Sequence, residues 1–338
     1  MAGSGVTPAP FRPAWWCRNG HLQTIWGPLF RRDRIRSRRE RVVLPDGDFV
    51  DLDWVDGQAS PGAPRLLVLH GLEGSSRSHY AAGLMRHAAA RGWRALTLNF
   101  RSCSGELNRR PQFYHSGHTD DLDHVVGLLL ERDADAPIGV VGVSLGGNVL
   151  LKWLGERELD APKQVVGAVA ISAPFHLVPC ARVLDRGFRK YVYTASFLTY
   201  MRDKVRRKAE RDPNFAILVD LELGLRARTF GEYDRAVTAR LHGFADEHDY
   251  WVRASSGPYL RRIHRPTLLI SALDDPLVPP DALPDPSTLP PWVRTEFTPR
   301  GGHAGFIDGR WPWRVDSWAE RHAVEFLGAV LAERRGVG

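Results

Sequence analysis

The residues with the clearest potential for chemistry lie where the apolar run 138–143 leads into the pattern Gly142-x-Ser144-x-Gly146. A leucine-rich helical pattern follows, so the segment is typical of a strand, a sharp turn and a helix with the serine at the apex. The glycines allow the strand and the helix to approach closely. The N–H of Leu145 would then face the oxyanion that forms when the serine attacks a carbonyl group. The pattern predicts a nucleophilic serine rather than a turn in which the serine is incidental.

A serine nucleophile needs a general base, and the base needs a carboxylate that holds its tautomer. Two aspartates, Asp274 and Asp275, follow one late apolar run, and His303 follows the next one within the sequence Gly-Gly-His. The carboxyl ends of parallel strands meet at one edge of a sheet, so these side chains are expected to converge on Ser144. The order Ser, Asp, His along the chain therefore predicts a Ser144–Asp275–His303 triad.

The identity of the triad acid and the second oxyanion donor depend on local patterns. Asp275 is preferred to Asp274 because the sequence Pro-x-Val-Pro directly after it fits the usual acid loop of such triads. The sequence His70-Gly71-Leu72 follows the first apolar run of the predicted parallel sheet, so the N–H of Leu72 is the second predicted donor. We therefore predict an oxyanion hole formed by Leu72 and Leu145. This chemistry needs no metal ion and no organic cofactor.

These residues require a sheet that brings them to one edge, and the chain contains its pattern. Continuous apolar runs alternate with helical patterns, at 65–69, 95–100, 138–143, 165–172 and 267–271. This alternation indicates a mostly parallel central sheet flanked by helices, which is an α/β fold. An antiparallel hairpin is predicted around Pro45-Asp46-Gly47. The run 293–297 is predicted to be the last strand, before a closing helix at 318–333.

The alternation stops between residues 175 and 264, where the chain becomes aromatic, arginine-rich and helical in pattern. A helical excursion between two strands of one sheet predicts a cap over the carboxyl edge of that sheet. We therefore predict a core of residues 11–174 and 265–338, a helical cap insertion at 175–264 and a disordered tail at 1–10. The arm at 11–26 contains three tryptophans and is expected to pack onto the core, which would cover them.

The composition indicates an ordinary globular protein of 338 residues, 43% hydrophobic and 25% charged. No run approaches the roughly 20 apolar residues of a membrane span, and the N-terminus lacks an apolar signal core. Three scattered cysteines are too few for a disulfide framework or a zinc site, so we expect a cytoplasmic protein. The cluster at 115–124 (His115, His118, Asp120, Asp121 and His124) lacks a known metal motif and is expected to form loop hydrogen bonds.

The net charge of +7 arises largely from two basic clusters, at 31–41 and 202–211. Both clusters are interleaved with acidic residues, and neither belongs to a recognisable nucleic-acid module. We interpret them as solvated faces and expect no nucleic-acid partner. A weak peripheral contact with anionic membrane head groups is the lesser alternative.

The chain resembles the YheT-like esterase branch of the α/β-hydrolase superfamily, which is related to the animal abhydrolase-domain phospholipases, over roughly residues 11–330. The motifs that carry this resemblance are Pro13-Ala14-Trp15-Trp16, His21-Leu22-Gln23-Thr24, His70-Gly71-Leu72-Glu73-Gly74, Asn99-Phe100-Arg101, Tyr114-His115-Ser116-Gly117, 142–148 and 301–306. The resemblance implies an α/β-hydrolase fold, the triad Ser144, Asp275 and His303, and hydrolysis of an ester or lipid. Ser102 departs from a glycine that is usual in the family, and His118 departs from a common acidic residue.

Two other functions are compatible with the same residues. An acyltransferase would use the same acyl-enzyme, and His115-x4-Asp120 superficially fits a His-x4-Asp pattern quoted for some relatives. A non-catalytic ligand-binding protein on the same fold is the alternative from another class. Such proteins usually lose a member of the triad, whereas all three residues are present here. We therefore predict a carboxylic ester hydrolase.

Overall fold

A computed structural model of the chain describes residues 10–33, 35–56, 59–60, 62–312 and 314–336. The tail predicted to be disordered at 1–10 lies outside the described residues, except for Pro10. Among the described residues, no helix combines the length and the hydrophobicity that a bilayer span requires.

An eight-stranded sheet forms the centre of the fold. Its strands are β1 (Arg38–Val43), β2 (Phe49–Val55), β3 (Arg65–Leu69), β4 (Arg94–Asn99), β5 (Ile138–Val143), β6 (Val165–Ile171), β7 (Thr267–Ala272) and β8 (Val293–Thr298). Their order across the sheet is β1-β2-β4-β3-β5-β6-β7-β8. Strand β2 runs antiparallel to both of its neighbours, and the strands from β3 to β8 are mutually parallel. The predicted mostly parallel sheet and the predicted hairpin are confirmed.

Helices lie on both faces of this sheet and in the segment between β6 and β7. In chain order they are α1 (Gly20–Phe30), α2 (His79–Ala89), α3 (Asp120–Arg132), α4 (Leu145–Arg157), α5 (Leu177–Leu184), α6 (Gly187–Arg189), α7 (Ala195–Arg211), α8 (Phe215–Leu218), α9 (Leu221–Arg226), α10 (Phe230–Tyr233), α11 (Ala239–His242), α12 (Glu247–Ala254) and α13 (Trp318–Gly336). Residues of α3 and α4 belong to one buried apolar cluster, and residues of α2 and α13 belong to another. Since both sheet faces are covered, the parallel strands β3, β5, β6 and β7 are buried along their whole length and largely apolar, as the sequence pattern predicts.

The segment between β6 and β7 is helical, as the sequence predicts, and contains α5 to α12. Two single π-helical turns, Lys190–Thr194 and Asp234–Thr238, interrupt its helices. The segment has its own apolar cluster, which includes Phe215 and Val237 and is completed by Phe113 from the loop before α3. This clustering supports our proposal that the helical segment is a cap on an α/β core.

The prediction that β8 is the last strand is wrong. Two further strands, β9 (Ile307–Trp311) and β10 (Arg314–Ser317), form a separate antiparallel ribbon. The ribbon is short, and its sequence contains Gly309 and Pro312, residues that are typical of loops. Its Ile307 backbone is instead bonded by the N-terminal arm, since Ala14 N–H donates to the Ile307 carbonyl group over 3.0 Å. Such a strand is stabilised by distant partners rather than by its own residue pattern.

The N-terminal arm packs on the core, as predicted, but one of its tryptophans remains outside. Trp16 and Trp26 are partly buried against each other, with ring centroids 4.6 Å apart. Trp15 is 64% exposed, so the expectation that all three tryptophans are covered is wrong. Its indole N–H donates to the Arg310 carbonyl group over 3.1 Å, so a polar edge contact holds the ring at the surface.

A buried ion pair joins the end of α1, which continues the arm, to the last helix. Arg31 donates to both carboxylate oxygens of Glu320, over 2.5 and 2.8 Å, and these side chains are 4% and 1% exposed. Arg31 also pairs with Asp33 at 2.5 Å. The interpretation of the first basic cluster as a solvated face is therefore wrong for Arg31. Its charge lies inside the protein because two carboxylates accompany it.

Replacing Glu320 with alanine is expected to lower the free energy of unfolding by about 3 kcal/mol, because it leaves a buried guanidinium with one partner. Equilibrium urea denaturation of the full chain measures this loss. Glu325→Ala is the matched control on the same helix, since the Glu325 side chain is 38% exposed and its Arg91 partner is 3.8 Å away. That control should lose less than about 1 kcal/mol. Equal losses in the two variants would contradict the assignment of the buried pair as the anchor of the arm.

Candidate active site

Ser144 lies at the turn between β5 and α4, which confirms the predicted strand, turn and helix. Its backbone angles are φ 54° and ψ −122°, a conformation that side chains rarely adopt and that sharp catalytic turns impose. A Cβ atom on Gly142 would lie 2.4 Å from the Gly146 carbonyl oxygen, and one on Gly146 would lie 2.4 Å from the Leu69 carbonyl oxygen. Both flanking glycines are therefore required by close backbone contact, as the sequence pattern predicts.

The structure brings Ser144, His303 and Asp275 into one hydrogen-bonded chain. The Ser144 Oγ atom lies 2.8 Å from His303 Nε2, and His303 Nδ1 lies 2.9 Å from Asp275 Oδ2. In this arrangement an Nδ1–H of His303 would donate to the Asp275 carboxylate, and Nε2 would face the Ser144 hydroxyl as an acceptor. The other Asp275 oxygen accepts the N–H groups of Leu277 and Val278 over 2.7 and 3.0 Å. These backbone donors orient the carboxylate toward the histidine.

Asp274 points elsewhere. Its Oδ1 atom accepts the N–H of Gly302 over 2.9 Å, which links the loop after β7 to the loop that carries His303. Burial raises the pKa of Asp274 above its usual range, and the hydrogen bonds from the glycine loop oppose that shift. The geometry therefore favours Asp275 as the triad acid and assigns Asp274 to the support of the histidine loop.

The N-terminal arm contacts the histidine loop directly. The backbone N–H of His303 donates to Thr24 Oγ1 over 2.9 Å, and that hydroxyl donates to the Gly20 carbonyl group over 2.7 Å. The neighbouring Gln23 side chain is fully buried and bonds both the N–H and the carbonyl group of Ile307, over 2.6 and 3.1 Å. The arm thus holds the backbone on both sides of the loop.

Sequence reasoning placed the arm on the core but missed its contact with His303. The available signal was the occurrence of Gln23 and Thr24 in one of the motifs shared with the resembled family. Close approach explains the glycine before the histidine, since a Cβ on Gly302 would lie 2.3 Å from the Gly20 carbonyl oxygen. Gly302 also has a φ of 59°, which favours glycine.

The loop after β3 carries the predicted donor Leu72 and is held by His70. The Nε2 atom of His70 accepts the N–H of Phe100 over 3.0 Å, and its Nδ1 lies 2.7 Å from the Gly71 carbonyl oxygen. Burial lowers the pKa of His70 to about 4, so the ring is neutral and matches this donor and acceptor pair. The Gly71 N–H donates to the Tyr80 hydroxyl over 2.9 Å. His70 therefore has a structural role in shaping the loop.

Leu72 and Leu145 both line the cavity that contains Ser144 and His303. Leu145 is the first residue of α4, so its N–H has no partner inside the helix and carries the positive end of the helix dipole. This placement is compatible with the predicted oxyanion hole.

The residue after Leu72 ties this loop to the helical segment. Glu73 forms a partly buried ion pair with Lys204 of α7 at 2.8 Å, and the Tyr114 hydroxyl accepts the Glu73 N–H over 2.7 Å. The Lys204 ammonium also lies 3.3 Å from Cys103 Sγ. Burial raises the pKa of Cys103 to about 11, which disfavours this thiol as a nucleophile. Sequence reasoning missed Lys204 because it lies in the second basic cluster, 202–211, whose mixture of basic and acidic residues is typical of a solvent-exposed helix face.

The cavity next to Ser144 has a volume of about 120 Å³ and is mostly apolar. Its apolar wall comes from the sheet edge and from the helical segment, and includes Leu177, Leu184, Phe197, Met201, Phe230, Leu277 and Val278. Its polar groups, besides Ser144 and His303, include His115, Ser116 and Asp234. Such a cavity suits an apolar chain next to a reactive carbonyl group.

The histidine-rich loop does not gather its residues as a metal site in the described part of the chain. His115 stacks on His118 and lies against His242, with ring centroids 5.4 and 4.4 Å apart. Burial lowers the pKa of His115 well below its usual range, so its ring is neutral. Among the described residues, one group lies close enough together to hold a metal ion and consists of His87, Asp316 and Glu320. The carboxylates of Asp316 and Glu320 already pair with Arg321 and Arg31.

Known proteins share the fold of this chain and much of its sequence. Residues 64–310 match the family described as "alpha/beta hydrolase fold". The chain is 42% identical over 325 residues to "Putative esterase YheT" of Escherichia coli (strain K12), which covers 96% of this chain and 94% of that protein. It is 27% identical over 334 residues to "Phospholipase ABHD3" of Homo sapiens, which covers 96% of this chain and 80% of that protein.

The solved structure of the Pyrococcus furiosus esterase Pf2001 shares the fold. The TM-score is 0.54 at 16% identity, and the match covers 87% of this chain and 92% of that one. The family match spans more than half of the chain, and the identity to the bacterial esterase extends over nearly all of it. The chain therefore belongs to the YheT-like branch of the α/β-hydrolase superfamily and is a hydrolase.

Proposed function

We propose that the protein cleaves carboxylic esters through an acyl-enzyme on Ser144. The observation that carries the proposal is the hydrogen-bonded chain from Ser144 Oγ through His303 to Asp275, with distances of 2.8 and 2.9 Å. The names of the relatives, an esterase and a phospholipase, support an ester or lipid substrate. The apolar cavity beside the serine supports a substrate with an apolar chain.

In the first half of the reaction, Ser144 Oγ attacks the ester carbonyl carbon while His303 Nε2 takes the hydroxyl proton. The carbonyl oxygen becomes an oxyanion, which the N–H groups of Leu72 and Leu145 would stabilise. Asp275 remains ionised and stabilises the imidazolium. The tetrahedral intermediate then collapses as His303 gives its proton to the leaving alcohol.

In the second half, water takes the place of the alcohol. His303 Nε2 accepts a proton from the water as its oxygen attacks the acyl carbon, and the same oxyanion donors act again. Collapse of the second intermediate returns the proton to Ser144 and releases the carboxylic acid. An acyltransferase would differ here alone, since another alcohol would attack in place of water.

The test is intact-protein mass spectrometry after incubation with a fluorophosphonate, followed by hydrolysis of p-nitrophenyl esters from C2 to C16. We expect one covalent adduct and measurable release of p-nitrophenol. Added alcohol acceptors then separate hydrolysis from transfer, since an acyltransferase would form mainly the new ester. A well-folded protein that gives no adduct would overturn the proposal and favour the non-catalytic alternative.

Replacing Thr24 with valine is expected to lower kcat by about 10- to 100-fold with little change in KM, because misplacing a catalytic group by about 1 Å has effects of this size. Valine has nearly the same shape but cannot accept the N–H of His303. Steady-state kinetics with p-nitrophenyl butyrate measure the two constants separately.

The matched control is Thr24→Ser, which keeps the hydroxyl group and should restore most of kcat. A merely structural role for Thr24 would instead lower the melting temperature and leave kcat per folded molecule unchanged. Thr24 would then not be a positioning residue for His303.

A further inference from the structure

A carboxyl group that the triad chemistry does not use lies in the wall of the substrate cavity. Asp234 is 6% exposed and lines the cavity that also contains Ser144 and His303. It begins the π-helical turn Asp234–Thr238, directly after α10. Such turns are rare and are frequent at functional sites, because the extra residue changes the direction of the side chains. The turn thus places a buried acid in the wall of the cavity that contains the predicted nucleophile.

Two neutral donors fix the orientation of this carboxyl group. Its Oδ1 atom accepts the Thr238 hydroxyl over 2.7 Å, and its Oδ2 atom accepts the Trp251 indole N–H over 2.8 Å. Thr238 and Trp251 also line the cavity. Each carboxylate oxygen has acceptor capacity for a second hydrogen bond, so the group can still receive a donor from a ligand.

No cation accompanies the Asp234 carboxyl group among the residues that the structure describes. Two other acids, Asp185 and Glu247, act on it electrostatically, and Glu247 is itself paired with Arg235. Asp185 is itself held by the N–H groups of Phe230 and Gly231, over 2.7 and 3.0 Å. Burial raises the pKa of Asp234 to about 7, and the two acids act in the same direction. An ionised Asp234 has no cationic side chain bonded to it among the described residues, so it would gain from a cationic ligand.

The surroundings define the rest of that ligand. The cavity wall around this acid is apolar, with Phe197, Met201 and Phe230 among its members. We propose that Asp234 is a specificity determinant that binds an ammonium group at the end of an apolar chain, so that the preferred substrates are esters bearing such a chain. The inference rests on the proposed function in that it places the substrate chain in this cavity.

The test compares two probes of equal length, n-hexylammonium and 1-hexanol, by isothermal titration calorimetry at pH 8.5. Wild type is expected to bind the ammonium at least about 10-fold more tightly than the alcohol, as a buried charge pair allows. In Asp234→Asn this preference should fall to about one, while Asp234→Glu should retain part of it. A preference that is unchanged in a folded Asp234→Asn protein would overturn the proposal.

The preference also depends on pH in a defined direction. Because the pKa of Asp234 is raised to about 7, its charge is lost below that pH, and the preference should be smaller at pH 6 than at pH 8.5. His115 and His303 line the same cavity, so the same pH comparison in Asp234→Asn is the control, and only the pH dependence that this variant loses is assigned to Asp234. If Asp234→Asn fails to fold, the wild-type pH comparison and Asp234→Glu still decide, and a preference that does not fall at pH 6 contradicts the proposal.

The binding test is separate from turnover. Wild type that takes up no fluorophosphonate but prefers the ammonium probe would overturn the serine hydrolase proposal alone. Wild type that takes up the fluorophosphonate but does not prefer the ammonium would overturn the Asp234 proposal alone.

Discussion

Replacing Ser144 with alanine is expected to lower kcat/KM for p-nitrophenyl butyrate by on the order of 10⁵-fold or more, as removal of a triad nucleophile does. The reason is that, among the described residues, the Ser144 hydroxyl is the one that bonds the His303 imidazole ring, which in turn bonds Asp275. The fluorophosphonate adduct should disappear as well. Initial rates and intact-protein mass spectrometry measure the two effects on the same samples.

The matched control for this variant is Ser287→Ala. Ser287 is an exposed serine in the turn Pro286–Thr288, and its hydroxyl bonds only its neighbour Asp285, over 2.8 Å. This variant should retain both the adduct and the rate. An adduct that persists in Ser144→Ala would show that the probe reacts elsewhere, and the assignment of the nucleophile would be wrong.

Replacing Asp275 with asparagine is expected to lower kcat by about 10⁴-fold, because the wrong histidine tautomer is stabilised. The N–H groups of Leu277 and Val278 require an acceptor at Oδ1, so the amide nitrogen of the new side chain would face His303 Nδ1. A donor at that position moves the ring proton to Nε2, where the proton of Ser144 must be received.

Asp274→Asn is the matched control on the adjacent residue. Asparagine keeps an oxygen that can accept the Gly302 N–H, so the loop contact survives and the loss in kcat should stay within about tenfold. The melting temperatures of both variants are measured as well, so that the two losses in kcat are compared between folded proteins. A larger loss in Asp274→Asn than in Asp275→Asn would reverse the assignment of the triad acid.

The local sequence predicts the nucleophile turn well, because its requirements are short in range. Gly142 is needed for a contact between its strand and the helix that follows directly, and Gly146 is needed where that helix approaches the Leu69 carbonyl group of the neighbouring strand.

Ser102 shows a limit of predicting backbone conformation from the residue type alone. It adopts a φ of 63°, where the resembled family usually has glycine, and its hydroxyl accepts the N–H of Asn108 over 3.1 Å and also bonds the Asn108 amide oxygen. The hydrogen bonds to Asn108 compensate for a conformation that the sequence position alone would assign to glycine.

Local patterns do not predict the ribbon of β9 and β10 or the burial of Arg31, because both depend on distant partners. Ile307 forms a strand although the residues after it resemble a loop, and it is bonded by Ala14 and Gln23 of the arm. Arg31 belongs to a basic cluster that resembles a solvated surface, yet Glu320 holds it inside the protein. In both cases, a contact between chain segments overrides the local pattern.

The sequence by itself determined the mostly parallel sheet, the turn at Ser144 and the order of the three triad candidates, because alternation, glycine spacing and strand ends are local properties. The tertiary structure alone decided which aspartate faces the His303 ring. It also decided that the backbone N–H of His303 donates to Thr24, which is 279 residues away in the sequence. Finally, it decided that Asp234 lies in the cavity wall, where its bonded partners among the described residues are the neutral Thr238 and Trp251. These features depend on which distant segments meet, and that is decided by the packing of the whole chain.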